Sequence, residues 1–236
     1  MTAPRAIAAA AAVLVAGALA ACADDTDPPW QLDHDRVIAV RANPPGLAPG
    51  EQATLDALLA RKGDTTRTAI PEGATVVSPA SLADVVSYRG DAWLVTAPSA
   101  DRLAAARAEL RLPDGAPVPL VVGVAFANRT LAATKTIVLG AHIDNPALTG
   151  VTIDGRAAPA GAVQVGKLVD VPLAAPFDDE THDVNWLTSC GTMHDEDLPR
   201  AYLRVEADDR DAGELVVVLR DATGGVAWSV WPIQAQ

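Results

Sequence analysis

Apolar and polar residues alternate with a period of two along several short segments of this chain. In residues 52–60 every odd position is alanine or leucine, whereas positions 54 and 56 are polar. Such alternation is typical of a strand that buries one face and exposes the other. Residues 183–187 and 201–206 alternate in the same way, and residues 37–42 form an apolar strand that ends at consecutive prolines.

Turn-forming residues separate these segments and predict two long hairpins. Asn128 and Arg129 lie between the apolar segments 118–127 and 131–139, and the residues Asp-Ala-Thr-Gly-Gly at 221–225 lie between 213–220 and 226–234. Glycine permits the positive φ angles that tight turns need. Further short strands are predicted at residues 74–77, 93–96, 148–153 and 163–173, the last of them as one continuous strand.

One segment has the spacing of a helix instead. Ser99 can cap its N-terminus, Asp101 complements the positive end of the helix dipole, and Leu103, Ala106 and Leu110 recur at helical intervals. The residues Leu-Pro-Asp-Gly that follow end this helix.

The order of elements predicts a mainly β fold, because short strands separated by turns favour sandwiches over βαβ units. The turn at residues 48–51 (Ala-Pro-Gly-Glu) and the Trp186 strand resemble parts of bacterial immunoglobulin-like domains, in which a Trp fills the space between two sheets. The resemblance implies two immunoglobulin-like β-sandwich domains in tandem, residues 34–141 and 142–236, with one short helix inserted in the first.

The N-terminus has the composition of an export signal. Arg5 precedes an apolar stretch, residues 6–21, that is shorter than the roughly 20 residues a membrane-spanning helix needs. The sequence Leu19-Ala20-Ala21-Cys22 then resembles the lipobox of bacterial lipoproteins. The resemblance implies cleavage between Ala21 and Cys22, acylation of Cys22, and removal of residues 1–21 as a signal peptide.

The lipobox resemblance also implies a location and a membrane partner. The mature protein is expected to be held at the bacterial cell envelope by acyl chains on Cys22, and Ala23 is compatible with sorting to the outer membrane. Residues 22–33 are acidic and contain proline, which predicts an extended tether. Trp30, beside this tether, is expected to pin the start of the first domain.

Charge and motifs restrict the functions that are expected. The 236-residue chain carries a formal net charge of −12 and only three lysines, which disfavours nucleic acid and anionic membrane surfaces as partners. No Gly-x-Ser-x-Gly, His-Glu-x-x-His, Ser-x-x-Lys or phosphate-binding glycine loop occurs. The sequence therefore favours a protein that is not an enzyme, and it predicts no cofactor other than calcium.

Acidic residues and histidines cluster on either side of the Trp186 strand. They could supply oxygen ligands for Ca²⁺, although solvated loops are the better explanation. The two groups would lie on the order of 20 Å apart at the ends of a strand, unless the second loop folds back. The candidate metal ligands are Asp178, Asp179, His182, Asp183, His194, Asp195 and Asp197.

Cys190 has no partner within the chain if Cys22 is acylated. It could be a buried thiol, a metal ligand or half of an intermolecular disulfide. Its spacing to His194 suits half of a zinc site, yet zinc normally takes four ligands.

Trp228 and Trp231 are the candidate binding residues of the last strand. Residues three apart face opposite sides of a regular strand, so one ring is expected in the core and the other at the surface. An exposed Trp could stack on a sugar ring or contact a protein.

Three functions follow from these features. The first is a non-enzymatic, lipid-anchored envelope protein that displays sandwich domains for binding or assembly, with an envelope protein or a glycan as partner. The second is a carbohydrate-binding or adhesion module, stabilised by calcium. The third is a metal-dependent hydrolase.

Overall fold

The computed structural model of the chain describes residues 28–73, 75–127, 130–177 and 181–236. The predicted signal peptide, Cys22 and the first part of the tether lie outside these residues. Within the described part, no helix is both long enough and apolar enough to cross a membrane.

The fold is mainly β, with two immunoglobulin-like sandwich domains in tandem, as the sequence predicted. The strands of the first domain are β1 (Arg36–Asn43), β2 (Gly46–Leu47), β3 (Gln52–Arg61), β4 (Asp64–Ala69), β5 (Thr75–Ser78), β6 (Val86–Arg89), β7 (Ala92–Thr96), β8 (Val118–Phe126) and β9 (Leu131–Leu139). Those of the second are β10 (Thr152–Ile153), β11 (Arg156–Ala157), β12 (Val163–Val165), β13 (Asp170–Ala174), β14 (Asp183–Thr188), β15 (Thr192–His194), β16 (Arg200–Arg204), β17 (Ala212–Arg220) and β18 (Val226–Ala235).

Each domain encloses an apolar core between two sheets. In the first domain, the sheet β1–β3–β7–β6, with β4 paired to β3, faces the sheet β2–β9–β8–β5. In the second, the sheet β12–β18–β17–β14 faces the sheet β11–β10–β13–β16–β15. Trp186 is fully buried in the second core, as the resemblance to the Trp strand of immunoglobulin-like domains implied.

The predicted helix forms as α1, Ala100–Leu110, in the first domain. The Ser99 hydroxyl accepts a hydrogen bond from the Arg102 amide, and Leu103 and Ala106 are buried, so the cap and the apolar face are both confirmed. A 3-10 helix, Ala80–Val85, precedes β6. Both predicted hairpins are also present, as β8–β9 and β17–β18.

The two domains share a third apolar cluster, which makes the molecule a stack of four sheets. The sheets containing β1 and β14, here called the inner sheets, face each other across this cluster, and the other two are the outer sheets. The residues of this interdomain cluster are Leu32, Ile38, Ala39, Leu58, Ala60, Leu187, Val216, Val218 and Val226, with Trp228 and Val230 packed against it. Part of each inner sheet, including most of β17, is therefore covered on both faces.

Three predictions from the sequence were wrong because of the way the four sheets pack against each other. The strand at residues 52–60 is half-buried only in its first part, because Leu58 and Ala60 face the other domain. Residues 163–173 form two strands, since β12 pairs with β18 in the inner sheet and β13 pairs with β16 in the outer sheet. Trp30 packs against the core of the second domain, not that of the first.

Candidate functional site

The predicted metal ligands do not come together among the described residues. Asp178 and Asp179 lie outside them, and the remaining candidates include no group of three His, Cys, Asp or Glu side chains arranged around an ion. The second acidic loop does fold back, because the Trp186 amide donates to the Glu196 carbonyl at 2.8 Å. This contact brings the 195–197 loop to the middle of β14.

The individual candidates have other contacts. The His182 ring lies against Phe177, with 5.6 Å between the ring centroids, and its neighbour Asp183 pairs across strands with Arg220. The His194 ring stacks on Tyr202, with 4.4 Å between centroids and 9° between the ring planes. Calcium binding stays a prediction that involves residues beyond the described ones.

Asp195 and Asp197 lie in the loop between β15 and β16. Asp195 has a φ of +56° and its carbonyl accepts the Leu198 amide, so it closes a turn. Asp197 is exposed and lines a cavity between the domains.

Cys190 is a free, buried thiol. Its Sγ lies 2.9 Å from the Arg210 carbonyl oxygen, to which it donates, and burial raises the pKa of the thiol. A protonated thiol that is shielded from solvent is a poor nucleophile and a poor metal ligand.

The two candidate tryptophans differ in burial. Trp231 belongs to the core of the second domain, and its indole nitrogen donates to the Pro159 carbonyl at 2.9 Å. Trp228 packs against the interdomain cluster, and the Arg41 guanidinium lies 3.9 Å from the centroid of its ring. Arg41 therefore covers one face of Trp228 and joins the two domains through a cation–π contact.

Hydrogen bonds also cross the junction between the domains. The Arg220 guanidinium donates to the Ile38 carbonyl at 2.8 Å and to the Asn185 side chain. The Thr65 amide donates to the Glu214 carboxylate at 2.6 Å. These contacts fix the relative position of the inner sheets, because backbone groups of one domain bond side chains of the other.

Lys135 makes a further contact between the domains at a buried position. Only 4% of Lys135 is exposed, and its ammonium group donates to the Gly224 carbonyl in the turn between β17 and β18. Burial lowers the pKa of Lys135 to about 8, an effect that the carboxylate of Asp221 partly opposes. Gly224 has a φ of +89°, and a Cβ there would stand 3.1 Å from the Thr136 carbonyl oxygen, so glycine permits the close approach.

The junction leaves a cavity of about 350 Å³ at the edge of the interdomain cluster. The first domain contributes the start of β1 to its wall, and the second contributes the middle of β14, the 195–197 loop and the end of β17. The lining residues are Pro29, Arg36, Val37, Ile38, Asn185, Trp186, Leu187, Glu196, Asp197 and Arg220. A volume of this size is within the range of small-molecule sites.

Sequence reasoning missed this junction as a candidate site. Its residues come from segments that are far apart in the chain, and the two that the sequence singled out, Trp186 and Asp197, were assigned to a core strand and to a metal site. One signal was present, because residues 215–219 are all apolar and do not alternate. A strand without alternation is buried on both faces, so this apolar segment indicated that another layer of structure covers the second face of β17.

No family model and no curated protein matches this chain. Several solved structures resemble it in fold at low TM-score. The two tandem V-type regions of VCBP3, a v-region-containing chitin binding protein, match with a TM-score of 0.32, 12% identity and coverage of 84% of this chain and 99% of that one. The fibronectin(III)-like modules of Clostridium thermocellum CbhA match with a TM-score of 0.28 and 11% identity over 86% of this chain and 94% of that one.

A match of another kind covers a smaller region. A nucleoside hydrolase-related hypothetical protein from Saccharophagus degradans matches 36% of this chain with a TM-score of 0.29 and 14% identity. The present chain spans only 25% of that protein's length. All of these likenesses are weak and concern the fold alone.

Proposed function

We propose that this protein is a non-enzymatic, lipid-anchored component of the bacterial cell envelope that displays its two sandwich domains as one rigid body for binding or assembly. The observation that carries the rigid display is the interdomain cluster, whereas the proposed anchor rests on the resemblance at Leu19-Ala20-Ala21-Cys22. Flexibly linked domains share small polar interfaces, whereas a large apolar interface restricts their relative motion. A fixed arrangement presents surfaces of both domains to one partner.

The path of the chain supports attachment at the junction. The Leu32 amide donates to the Thr188 carbonyl at 2.9 Å, and the Thr188 amide donates to the Trp30 carbonyl at 2.9 Å. Leu32 is fully buried in the interdomain cluster, so the last residues of the predicted tether are held between the domains and are not extended into solvent. An anchor at Cys22 would therefore hold the body at its junction.

The anchor is tested by mass spectrometry of the mature N-terminus after expression of the full chain in a bacterial host. We expect the mass of an acylated N-terminal Cys22 and recovery of the protein with the membrane fraction. Cys22→Ser should lose both properties, whereas Cys190→Ser should keep both and serves as the matched control. A cytosolic product with Met1 intact and no lipid would overturn the proposal.

A further inference from the structure

The interdomain cavity is lined by Arg36, a half-buried cation with two shielded nitrogens that lack hydrogen-bond acceptors in the described part of the chain. The Nε and Nη2 atoms of Arg36 are shielded from solvent, and they have no hydrogen-bond partner among the described residues. Burial lowers the pKa of Arg36, an effect that the carboxylate of Asp33 partly opposes. A shielded donor without an acceptor is destabilising, and more so when the group is charged.

The second arginine of the cavity differs from the first in this respect. Arg220 donates to the Asn185 side chain and to the Ile38 carbonyl, so the folded chain supplies its acceptors. Arg36 is therefore the lining cation that is available to an added anion. An anion would reach it by a rotation of the side chain, because the two orphaned nitrogens are shielded from solvent.

The opposite wall of the cavity carries negative charge. Glu196 and Asp197 belong to the second domain and line the same cavity. Among the described residues, neither carboxylate forms an ion pair or accepts a side-chain hydrogen bond. The cavity is thus lined by a cation of one domain and by two carboxylates of the other that have no ion-pair partner among the described residues.

We propose that this cavity binds a small zwitterion, of the class of free amino acids and short peptides. The ligand carboxylate pairs with Arg36 of the first domain, and the ligand ammonium group pairs with Glu196 or Asp197 of the second. A simple anion would satisfy Arg36 but would be repelled by the two carboxylates, whereas a zwitterion satisfies both walls. This inference rests on the proposed binding role and specifies its ligand.

Thermal unfolding of the full chain in detergent tests the ligand class. The probes are glycine, L-alanine, D-alanine and the dipeptide L-alanyl-L-alanine at millimolar concentrations, with acetate and methylamine as single-charge controls. A ligand that binds only the native state raises Tm, so at least one zwitterion should raise it by several degrees while the controls do not. Equal shifts with acetate, or no shift with any zwitterion, would overturn the proposal.

Substitution of Arg36 separates a ligand site from a structural role. Arg36→Met removes the unsatisfied charge but keeps the length of the side chain, so it should raise Tm of the ligand-free protein by roughly 2–4 °C. The same variant should abolish the zwitterion-induced shift. Arg156→Met, at an exposed position of β11, is the matched control and should change neither quantity.

The opposite wall is tested with Glu196→Gln and Asp197→Asn. The double variant should weaken zwitterion binding at least tenfold and should make acetate a better ligand, because the repulsion is removed. Retention of the zwitterion shift in Arg36→Met, or in this double variant, would refute the site. Neither result affects the anchor at Cys22, whose test is independent.

Discussion

Strands β17 and β8 show the difference between the inner and outer sheets of this molecule. Residues 215–219 in β17 are at most 1% exposed, without interruption. Strand β8 alternates instead, since positions 118, 120, 122, 124 and 126 are buried and the positions between them are not. The period of two therefore appears where one face of a sheet meets solvent, and it disappears where another domain covers that face.

The two faces of β17 belong to different cores. Leu215, Val217 and Leu219 face the core of the second domain, whereas Val216 and Val218 face the first domain across the interdomain cluster. Neighbouring, equally buried valines thus stabilise two different levels of structure. Val217 stabilises the fold of the second domain, and Val216 stabilises the contact between the two domains.

The largest expected effects separate these two levels. Val217→Asp places a charge in the core of the second domain and should cost more than roughly 4 kcal/mol, enough to unfold that domain. Val216→Asp places the same charge in the interdomain cluster. It should weaken the contact between the domains, so that a single calorimetric unfolding transition becomes two.

Thr134→Asp, at an exposed position of β9, is the control for the added charge and should change the free energy of unfolding by less than roughly 0.5 kcal/mol. Calorimetry and small-angle scattering report the outcome together. If Val216→Asp unfolded the second domain as completely as Val217→Asp does, Val216 would stabilise the domain itself and not only the contact between the domains.

Lys135 provides a pH-dependent test of the same junction. It occupies the inward-facing register of β9 with Ile137, yet it carries a charge. Its pKa is about 8 in the folded protein, compared with 10.5 for an unperturbed lysine, so the unfolded chain binds more protons between these pH values. The free energy of unfolding should therefore increase with pH from about 8 to 10.5, by at most about 3 kcal/mol.

Other groups titrate in this range, and burial of the Cys190 thiol acts in the opposite direction because its pKa is raised. The measurement is thus the difference between the wild type and Lys135→Met, obtained from urea unfolding at pH 7.5 and 10.5. The wild type should gain stability relative to the variant as pH rises. A constant difference would show that Lys135 is solvated in the native protein.

A smaller effect is expected for the pair of Arg41 and Trp228, which joins the inner sheets at the edge of the cluster. A double-mutant cycle with Arg41→Gln and Trp228→Leu should give a coupling free energy of roughly 0.5–2 kcal/mol. Arg41 also bonds Asp56, with 2.7 Å between Nη2 and Oδ2, and both members of the cycle that lack Arg41 lose this bond. Zero coupling would show that the ring and the guanidinium contribute independently.

The sequence predicted the local structure well because the determinants were local. The cap at Ser99 and the two long hairpins each depend on residues that are near in the sequence. The assignment of Trp30 failed because its partners lie more than a hundred residues away, in the second domain. The cavity between the domains was missed for the same reason, since Arg36 and Glu196 line one cavity only because the sheets stack.

The smallest effect is expected at the exposed end of the junction, where His142 lies between two carboxylates. Its Nδ1 is 3.0 Å from Glu51 Oε2, and its Nε2 is 3.3 Å from Asp144 Oδ1. The hydrogen bond to Glu51, followed by the charge of that residue, raises the pKa of His142 above 6.5. The stabilisation is therefore present below pH 6.5 and is lost as pH rises through the folded pKa.

Titration of the His142 ring by NMR measures this pKa directly. Glu51→Gln should move it back towards 6.5, because the amide keeps a hydrogen-bond acceptor but loses the charge. The effect on Tm should be small, since the imidazole is half exposed and water screens the pair. A pKa below 6.5 in the wild type would mean that desolvation outweighs the two carboxylates. The environment of His142 would then resemble the buried inner sheets and not the solvated outer ones.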